Sequence, residues 1–394
     1  MARELTITIY LFVFRLLFDV FKSFPQKKKT VFVASFGDNI LYTLNELEKQ
    51  TDEPAIILKT SQCKGNFEQI TAHILNFNPG NLVQWLQSIY HLATADKIFI
   101  DNYFGFLAVT DFKANVQCIQ LWHAAGAIKQ FGLKDHSITN RSSRAHERFQ
   151  KVYNRFTHVV VGSEKMAEIF KESFGLSNNA ILRSGIPRTD LFYDKEERKN
   201  VEQTIRQLYP IINQKKVILY APTYRDDQLD NATIALDIER LYQHFHEEYV
   251  LFLRLHPAIK HAFVNNYTDF VYDGSDITDV NHLLLVTDIL ITDYSSIPFE
   301  FALLERPMIF FAYDLEKYEQ ARGFWEDYET LVPGPVVTKT DDIIDVIKNE
   351  IFDMNRVKDF ANQWNQYSTG NASKILISTF YKEEEEQYQT VDQR

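Results

Sequence analysis

The sequence predicts an α/β protein built from two doubly wound parallel sheets, with further helices toward its C-terminal end. Three observations lead to this prediction. Short apolar runs alternate with helical patterns through the first half, the alternation restarts after a polar stretch at 187–198, and residues 289–314 form one strand–loop–helix–strand pattern. A strand followed by a helix and another strand requires a crossover, and crossovers join parallel strands.

The first half carries the pattern of one sheet with its covering helices. Predicted strands are 30–36, 55–59, 97–101, 116–122 and 158–161, with a short extended segment at 181–185. Predicted helices are 40–49, 82–92, 141–156 and 164–174. Continuous apolar runs of this length are typical of strands that are buried on both faces.

The second half repeats the pattern. Predicted strands are 217–220, 249–255, 289–291 and 308–311, and predicted helices are 280–288, 299–305 and the tail from 341. Ser295 or Ser296 would cap the helix that begins near Pro298, because a side-chain oxygen there accepts a backbone N–H. We therefore expect domains at 30–190 and 191–394, with the last helices able to lean back on the first domain.

The N-terminal segment, residues 1–29, departs from this pattern. Its uncharged core at 5–14 is shorter than the roughly 20 apolar residues that span a bilayer, and Arg15 and Asp19 interrupt the apolar residues after that core. Three lysines stand at 27–29. An amphipathic helix lying on a membrane surface fits an apolar run that meets a basic cluster. A helix packed on its own protein is the alternative.

Composition excludes several classes of protein. The formal net charge is −11, from 42 basic and 53 acidic residues, whereas a general nucleic-acid binder needs a basic surface. Two cysteines form neither a disulfide framework nor a zinc set, and they fit a reducing compartment. The dinucleotide, nucleotide-triphosphatase and zinc-protease motifs are absent, and no carboxylate cluster predicts a metal site.

Four polar clusters follow predicted strands, at 122–126, 223–226, 254–257 and 293–296. Strand ends share one edge of a parallel sheet, so these clusters are expected to line a ligand cleft. His123 and His256 could act on a phosphoryl group there, one as a base toward a hydroxyl and the other on the phosphate or leaving oxygen. A lone histidine at a strand end is more often structural, and Arg225 and Arg254 could form ordinary ion pairs.

These clusters, in this order, resemble the CDP-glycerol glycerophosphotransferase family. The resemblance covers the chain after its N-terminal helix, and its residues are QLWH at 120–123, RLHP at 254–257, TDYSS at 292–296, PFEF at 298–301, YDL at 313–315 and RG at 322–323. Within the family, the segments at 101–104, 131–133, 148–153, 161–164 and 370–373 are most similar to those of glycerol-phosphate primases. The Ala-Ala-Gly at 124–126 departs from the Gly-Thr of many polymerases, which makes acceptor preference the open question.

The resemblance implies a GT-B fold, in which two Rossmann-like domains face each other across a cleft. It implies a primase that moves glycerol phosphate from CDP-glycerol to N-acetylmannosaminyl-N-acetylglucosaminyl-diphospho-undecaprenol and releases CMP. His123 is the expected base on the acceptor hydroxyl, His256 the expected contact of the donor pyrophosphate, and Ser295 and Ser296 the expected phosphate ligands. Further donor-pocket residues implied by the match are Thr223, Arg225, Arg254, Glu300 and Arg322.

The resemblance also implies work at the cytoplasmic face of the cell membrane, as a peripheral protein without a nucleic-acid partner. No cofactor is predicted, although magnesium could bind the donor pyrophosphate. Three alternatives stay open: a chain-extending glycerol- or ribitol-phosphate polymerase, a GT-B sugar transferase that uses a nucleotide sugar, and a binding protein that has lost turnover.

Overall fold

In a computed structural model, the described residues form two all-parallel sheets, one of seven strands and one of six. The structure describes residues 2–68, 70–223, 225, 234–255 and 264–391. The predicted α/β class with two parallel sheets is therefore confirmed. The chain divides into two structural units, and neither unit is one continuous segment.

The first unit takes in the chain up to His123, residues 131–190 and the C-terminal segment from Tyr367. Its strands are β1 (Thr30–Ala34), β2 (Ala55–Lys59), β3 (His73–Asn76), β4 (Lys97–Ile100), β5 (Gln117–Gln120), β6 (His158–Val160) and β7 (Ile181–Leu182). They lie in the order β3-β2-β1-β4-β5-β6-β7. The order reverses between β1 and β4, and open parallel sheets bind ligands at the carboxyl ends of such a pair.

The second unit takes in Ala124–Gln130 and Leu191–Gln366. Its strands are β8 (Lys216–Ala221), β9 (Tyr249–Leu253), β10 (Val271–Asp273), β11 (Ile289–Thr292), β12 (Met308–Phe311) and β13 (Val336–Val337). They lie in the order β10-β9-β8-β11-β12-β13, which reverses between β8 and β11. The C-terminal segment, whose helices we expect to be able to lean back on the first domain, groups with the first unit, and 124–130 groups with the second.

Most of the α-helices in the described residues lie between successive strands, whereas the first precedes β1 and the last three follow β13. The helices are α1 (Ala2–Lys22), α2 (Asp38–Gln50), α3 (Leu82–Thr94), α4 (Ser143–Tyr153), α5 (Glu164–Phe174), α6 (Lys195–Leu208), α7 (Ile238–Phe245), α8 (Val280–Leu285), α9 (Ile297–Phe301), α10 (Leu315–Arg322), α11 (Tyr328–Leu331), α12 (Thr340–Lys348), α13 (Met354–Trp364) and α14 (Ala372–Val391).

Side-chain caps define where many of these helices begin. Ser142, Ser163 and Asp194 each accept a backbone N–H from the first turn of the helix that comes next. Such caps satisfy donors that have no partner within the helix. Strands β1, β4, β11 and β12 are buried along their whole length, as expected for central strands covered by helices.

Helix α1 is apolar on two faces. Phe14 and Phe18 are fully buried, and Phe14 stacks on Phe106 with ring centroids 5.2 Å apart. Seven large apolar side chains of this region are exposed instead: Leu5, Ile9, Phe12, Val13, Leu16, Val20 and Phe24. Among the described residues, no helix has the length and apolar character needed to cross a membrane.

Several predicted elements end earlier than expected, and two of them lie next to the clusters singled out in the sequence. The strand predicted at 116–122 ends at Gln120, because Trp122 adopts a left-handed backbone conformation with φ of 57°. The helix predicted at 299–305 is α9 followed by a 3-10 turn at Ala302–Leu304. The polar region around 187–198 contains a 3-10 turn and then the start of α6, a helix with one buried side chain, Ile205.

Candidate active site

A buried carboxylate organises the reversal point of the first sheet. Asp101 comes directly after β4 and is fully buried. Its carboxylate accepts N–H groups from the loop after β1, at 2.9 Å from Ser35, 2.9 Å from Phe36 and 2.8 Å from Gly37. Gly37 has φ of 103°, a conformation that favours glycine. The carboxylate therefore shapes the loop that turns from β1 into α2.

No basic side chain is among the hydrogen-bond partners found for the Asp101 carboxylate in the described part of the chain. Burial raises the pKa of Asp101 to about 6, while the amide donors oppose that rise. A carboxyl group in this state titrates near neutral pH, which is uncommon outside functional sites.

His123 lies beside the backbone of Asp101, three residues after β5. Its Nδ1 is 3.1 Å from the backbone carbonyl oxygen of Asp101. A carbonyl oxygen can only accept, so Nδ1 carries the proton in the neutral ring and Nε2 is the basic nitrogen. The backbone geometry thus selects the tautomer that a general base acting through Nε2 requires.

Aromatic rings cover both faces of the His123 imidazole. Phe36 stacks on it with centroids 4.1 Å apart and planes inclined by 11°. Trp122 stacks with centroids 4.4 Å apart and planes inclined by 29°, and Phe131 stacks on Trp122 at 5.0 Å. The sequence alone does not single out Phe36, because its partner is 87 positions away in the chain.

A second buried aspartate occupies the same position in the other sheet. Asp293 comes directly after β11, and its Oδ1 accepts the N–H of Thr223, in the loop after β8, at 2.7 Å. The carboxylate also accepts the N–H of Tyr294 at 2.6 Å. Burial raises the pKa of Asp293, and the nearby Arg225 opposes this rise.

Arg225 is buried between two carboxylates. It donates from Nε and Nη2 to the two oxygens of Asp314, both at 2.9 Å, and from Nη1 to Asp293 at 2.9 Å. It also donates to the carbonyl oxygen of Thr223. Although burial alone would raise it, these bonds hold the pKa of Asp314 below its usual value. The ion pairs expected as an alternative for Arg225 are therefore present.

Tyrosine rings surround the guanidinium group. It lies 4.9 Å from the ring centroid of Tyr294 and 4.8 Å from that of Tyr318. Those two rings stack 3.9 Å apart, and the Tyr294 hydroxyl donates to Asp314 at 3.0 Å. Cation–π contacts add to the ion pairs, so the loop from Asp293 onward is held rigidly against Arg225.

The predicted phosphate ligands Ser295 and Ser296 come next in the chain after this anchor, and both are partly exposed. Ser295 Oγ accepts the N–H of Ile297 at 3.2 Å. Ser296 occupies the N-cap position of α9, but its side chain makes no capping bond. Of the two serines predicted as caps, Ser295 therefore supplies the side-chain bond at the helix start.

The remaining nominated residues lie elsewhere in the second unit. Arg254 donates to the carbonyl oxygens of Gly274, Ile277 and Thr278, at 3.1, 2.7 and 3.3 Å. It therefore braces the loop after β10. His256, two residues further on, lies outside the described residues.

Glu300 is buried, and its Oε1 accepts the N–H of Ala125 at 3.2 Å. A methyl group on Gly126 would lie 2.3 Å from the Phe299 ring, so the short segment 124–130 packs without room for a side chain there. Arg322 is exposed and is the last residue of α10. Glu300 thus has a positional role toward the backbone that continues the chain from His123.

Among the described residues, no group of three or more His, Cys, Asp and Glu side chains is arranged to hold a metal ion. The carboxylates of Asp293 and Asp314 are instead engaged by Arg225.

Comparison with known proteins places these features in context. A family model described as CDP-glycerol:poly(glycerophosphate) glycerophosphotransferase matches residues 16–382. A teichoic acid glycerol-phosphate primase from Bacillus subtilis strain 168 is 38% identical over 363 residues, covering 90% of this chain and 91% of the primase. A teichoic acid poly(ribitol-phosphate) polymerase from Bacillus spizizenii is 33% identical, covering 95% of this chain and 60% of the polymerase.

Solved structures agree at the level of the fold. The chain superimposes on the wall teichoic acid polymerase TagF with a TM-score of 0.81 and 23% identity, covering 98% of this chain and 99% of that one. The likeness identifies the two-sheet architecture as GT-B-like.

Proposed function

The chain belongs to the CDP-glycerol:poly(glycerophosphate) glycerophosphotransferase family and is a transferase, and from this premise we propose that it is a teichoic acid glycerol-phosphate primase. Its substrates in this proposal are CDP-glycerol and N-acetylmannosaminyl-N-acetylglucosaminyl-diphospho-undecaprenol. The observation that carries the proposal is the 38% identity to a primase over 90% of the chain.

His123 acts as the general base in this proposal. The acceptor hydroxyl attacks the phosphorus that carries glycerol, a new P–O bond forms, and the bond to the CMP oxygen breaks. The hydroxyl proton passes to Nε2 of His123, because Nδ1 is engaged with the Asp101 carbonyl oxygen. Imidazole groups titrate near neutral pH, which suits them to this transfer.

The donor is assigned to the second unit. Ser295 and Ser296 offer hydroxyls to the donor phosphates, beside the start of α9. His256 acts on the donor pyrophosphate. Arg225 holds Asp293 and Asp314, so its contribution is to position the loop that carries the serines. Thr223, Arg254, Glu300 and Arg322 complete the proposed pocket, and magnesium could accompany the pyrophosphate.

The test is incubation of the purified protein with CDP-glycerol and a short-chain lipid-linked disaccharide, followed by mass spectrometry. A product heavier by one glycerol phosphate is expected. A ladder of products would identify a polymerase instead, and transfer of a sugar from a nucleotide sugar would identify a sugar transferase. No product with CDP-glycerol intact would overturn the proposal.

The His123→Ala variant isolates the base. Turnover should fall by about 10²–10⁴-fold, since that is the usual contribution of a general base, while CDP-glycerol still binds. Binding is measured by calorimetry with the same protein preparation. Turnover within tenfold of the unaltered enzyme would remove His123 from this role.

We also propose that α1 lies on the cytoplasmic face of the membrane. Leu5, Ile9, Phe12 and Leu16 are 62%, 56%, 61% and 51% exposed, so the helix offers an apolar stripe away from its buried Phe14 face. Lys27 and Lys28 are exposed, whereas Lys29 is buried and donates to Thr94 at 2.7 Å. Two of the three lysines are therefore at the surface.

Replacement of Ile9, Phe12 and Leu16 by serine tests the membrane role. The variant should lose binding to vesicles of anionic phospholipid while keeping its turnover on a water-soluble acceptor. Leu208→Ser is a matched control, since Leu208 is 64% exposed on α6 in the other unit. Equal vesicle binding by all three proteins would refute the membrane role of α1.

A further inference from the structure

We infer that Phe36 and Trp122 are positioning residues for His123, which hold its imidazole between two aromatic faces and stabilise the protonated ring. The inference rests on the proposed role of His123 as the base. It concerns a four-ring stack, Phe36–His123–Trp122–Phe131, that lies within the first unit.

The stack leaves only the edge of the imidazole ring accessible to other groups. Phe36 and Trp122 cover the two faces, with centroids 4.1 and 4.4 Å from that of His123. Nδ1 is held at the Asp101 carbonyl oxygen. A ring flip would move Nδ1 away from this oxygen, so the contact keeps Nε2 pointing in one direction.

Hydrogen bonds to the backbone of Trp122 hold its ring in the stack. Its φ of 57° is unfavourable for a residue with a bulky side chain. Both peptide groups around it are nevertheless satisfied by side chains: its N–H donates to Gln120 Oε1 at 2.8 Å, and its carbonyl accepts from Asn39 Nδ2 at 3.0 Å.

Gln120 and Asn39 are in turn buried and fixed. Gln120 donates to the Asn102 carbonyl oxygen at 3.0 Å, and Asn39 Oδ1 accepts the N–H of Arg188 at 3.0 Å. A strained residue that its surroundings hold this firmly points to a functional demand on its position. This network also explains why glutamine stands three residues before the histidine.

Stacking has an electronic consequence as well. Aromatic faces carry partial negative charge, so an imidazolium between two of them is stabilised. This favours the protonated state that His123 reaches when it takes a proton.

Ionisable groups near the stack in the described residues include Asp101, Asp38 and Cys63. Asp101 turns its carboxylate to the amides of residues 35–37, and Asp38 pairs with Arg188 at 3.5 Å. Cys63 contacts the Phe36 carbonyl oxygen, and burial raises the pKa of its thiol to about 11, so it stays neutral.

Phe36→Leu is the decisive variant. Phe36 is 42% exposed, so leucine should not impair folding, yet it removes one face of the stack. We expect kcat to fall about tenfold with little change in the KM for CDP-glycerol, because orientation of the base is lost rather than donor contacts. The pKa of His123, followed by NMR of the imidazole, should fall by about 0.5.

Two further variants serve as controls. Phe36→Tyr keeps the ring and should retain the kcat and the His123 pKa of the unaltered enzyme. Phe24→Leu removes another exposed phenylalanine, 46% exposed after α1, and should leave both quantities unchanged.

The outcomes separate this inference from the proposed function. Suppose that His123→Ala is inactive while Phe36→Leu matches the unaltered enzyme in kcat and in the pKa of His123. That result would overturn the positioning role of the stack and leave the role of His123 as base intact. A fully active His123→Ala variant would overturn both. A drop in kcat for Phe24→Leu equal to that for Phe36→Leu would also count against the stack.

Discussion

The reversal points of the two sheets have the same framework but different charges. In each, an aspartate directly after the inner strand binds N–H groups of the loop after the neighbouring strand, Asp101 toward Ser35–Gly37 and Asp293 toward Thr223. Asp293 has Arg225 beside it at 2.9 Å. The Asp101 carboxylate has amides only among the hydrogen-bond partners found in the described residues, and the backbone carbonyl oxygen of Asp101 contacts the ring of His123.

The two sheets therefore hold their candidate site residues in place by different interactions. At the first sheet, the imidazole of His123 is held by aromatic stacking and by contact with a carbonyl oxygen. At the second sheet, charges are paired before any substrate arrives, so the loop with the serines is rigid. A base has to change its charge during the reaction, whereas a phosphate-binding loop has to keep its shape.

Loss of Arg225 should have the largest effect on stability. Arg225→Met leaves Asp293 and Asp314 buried without their cation, and we expect about 3–5 kcal/mol of destabilisation. Hydrogen exchange of amides in β8 and β11 measures this, and amides of the first sheet should change little.

Arg183→Met is the matched control for that variant. Arg183 pairs with Glu164, and the two side chains are 32% and 43% exposed. Pairs of this kind contribute about 0–1 kcal/mol. Equal losses for the two arginines would show that the buried cluster is no more important than a surface pair.

The next effect is a pH dependence at Asp101. Its pKa of about 6 in the folded chain exceeds the ordinary 3.8, so between these pH values the folded chain holds a proton that the unfolded chain has released. Stability should therefore fall as pH rises from about 4 to about 6 and then level off, by about 3 kcal/mol in total.

Urea unfolding of the unaltered protein and of Asp101→Asn, compared across this pH range, isolates the contribution. The asparagine cannot ionise, so the difference between the two proteins carries the titration of Asp101. If the unaltered protein instead gains stability relative to Asp101→Asn as pH rises, the amide donors affect the pKa of Asp101 more than burial does.

The smallest effect concerns the tyrosines of the second site. Tyr294→Phe removes a bond of 3.0 Å to the charged Asp314, and Tyr328→Phe removes a bond of 2.9 Å to the carbonyl oxygen of Asp293. We expect about 1.5–3 kcal/mol for the first and about 0.5–1.5 kcal/mol for the second, since bonds to charged groups are stronger. Equal losses by thermal unfolding would contradict the charged character of this site.

Much of the fold is predictable because buried parallel strands appear in the sequence as continuous apolar runs. The predicted bounds of strand β12 match the observed ones, and so do those of α5. Helix α6 is not predicted, because a helix with one buried residue lacks the apolar stripe on which periodicity depends.

The site is predictable only in part. The loops that carry His123 and Ser295 stand out in the sequence because polar residues come directly after apolar strands. The contacts of Phe36 with His123 and of Arg225 with Asp314 cannot be predicted, because the spacing of residues along the chain does not reveal which loops meet. Arg254 is predicted as a site residue from its motif, yet it donates hydrogen bonds to the loop at 274–278. A sequence does not reveal whether an arginine binds a backbone loop or a ligand.

The interleaving of the two units has a consequence for how the protein is made on the ribosome. Asp190 accepts the N–H groups of Ala372 and Ser373 at 2.8 and 2.9 Å, and Tyr381 contacts Thr30 through its hydroxyl. At about 5–20 residues per second, roughly 10–40 s separate the synthesis of Asp190 from that of its partners. The second unit is translated before the last helix of the first unit, so the incomplete first unit is exposed to chaperones and proteases for that interval. A gene fragment ending at residue 190 would lack this helix.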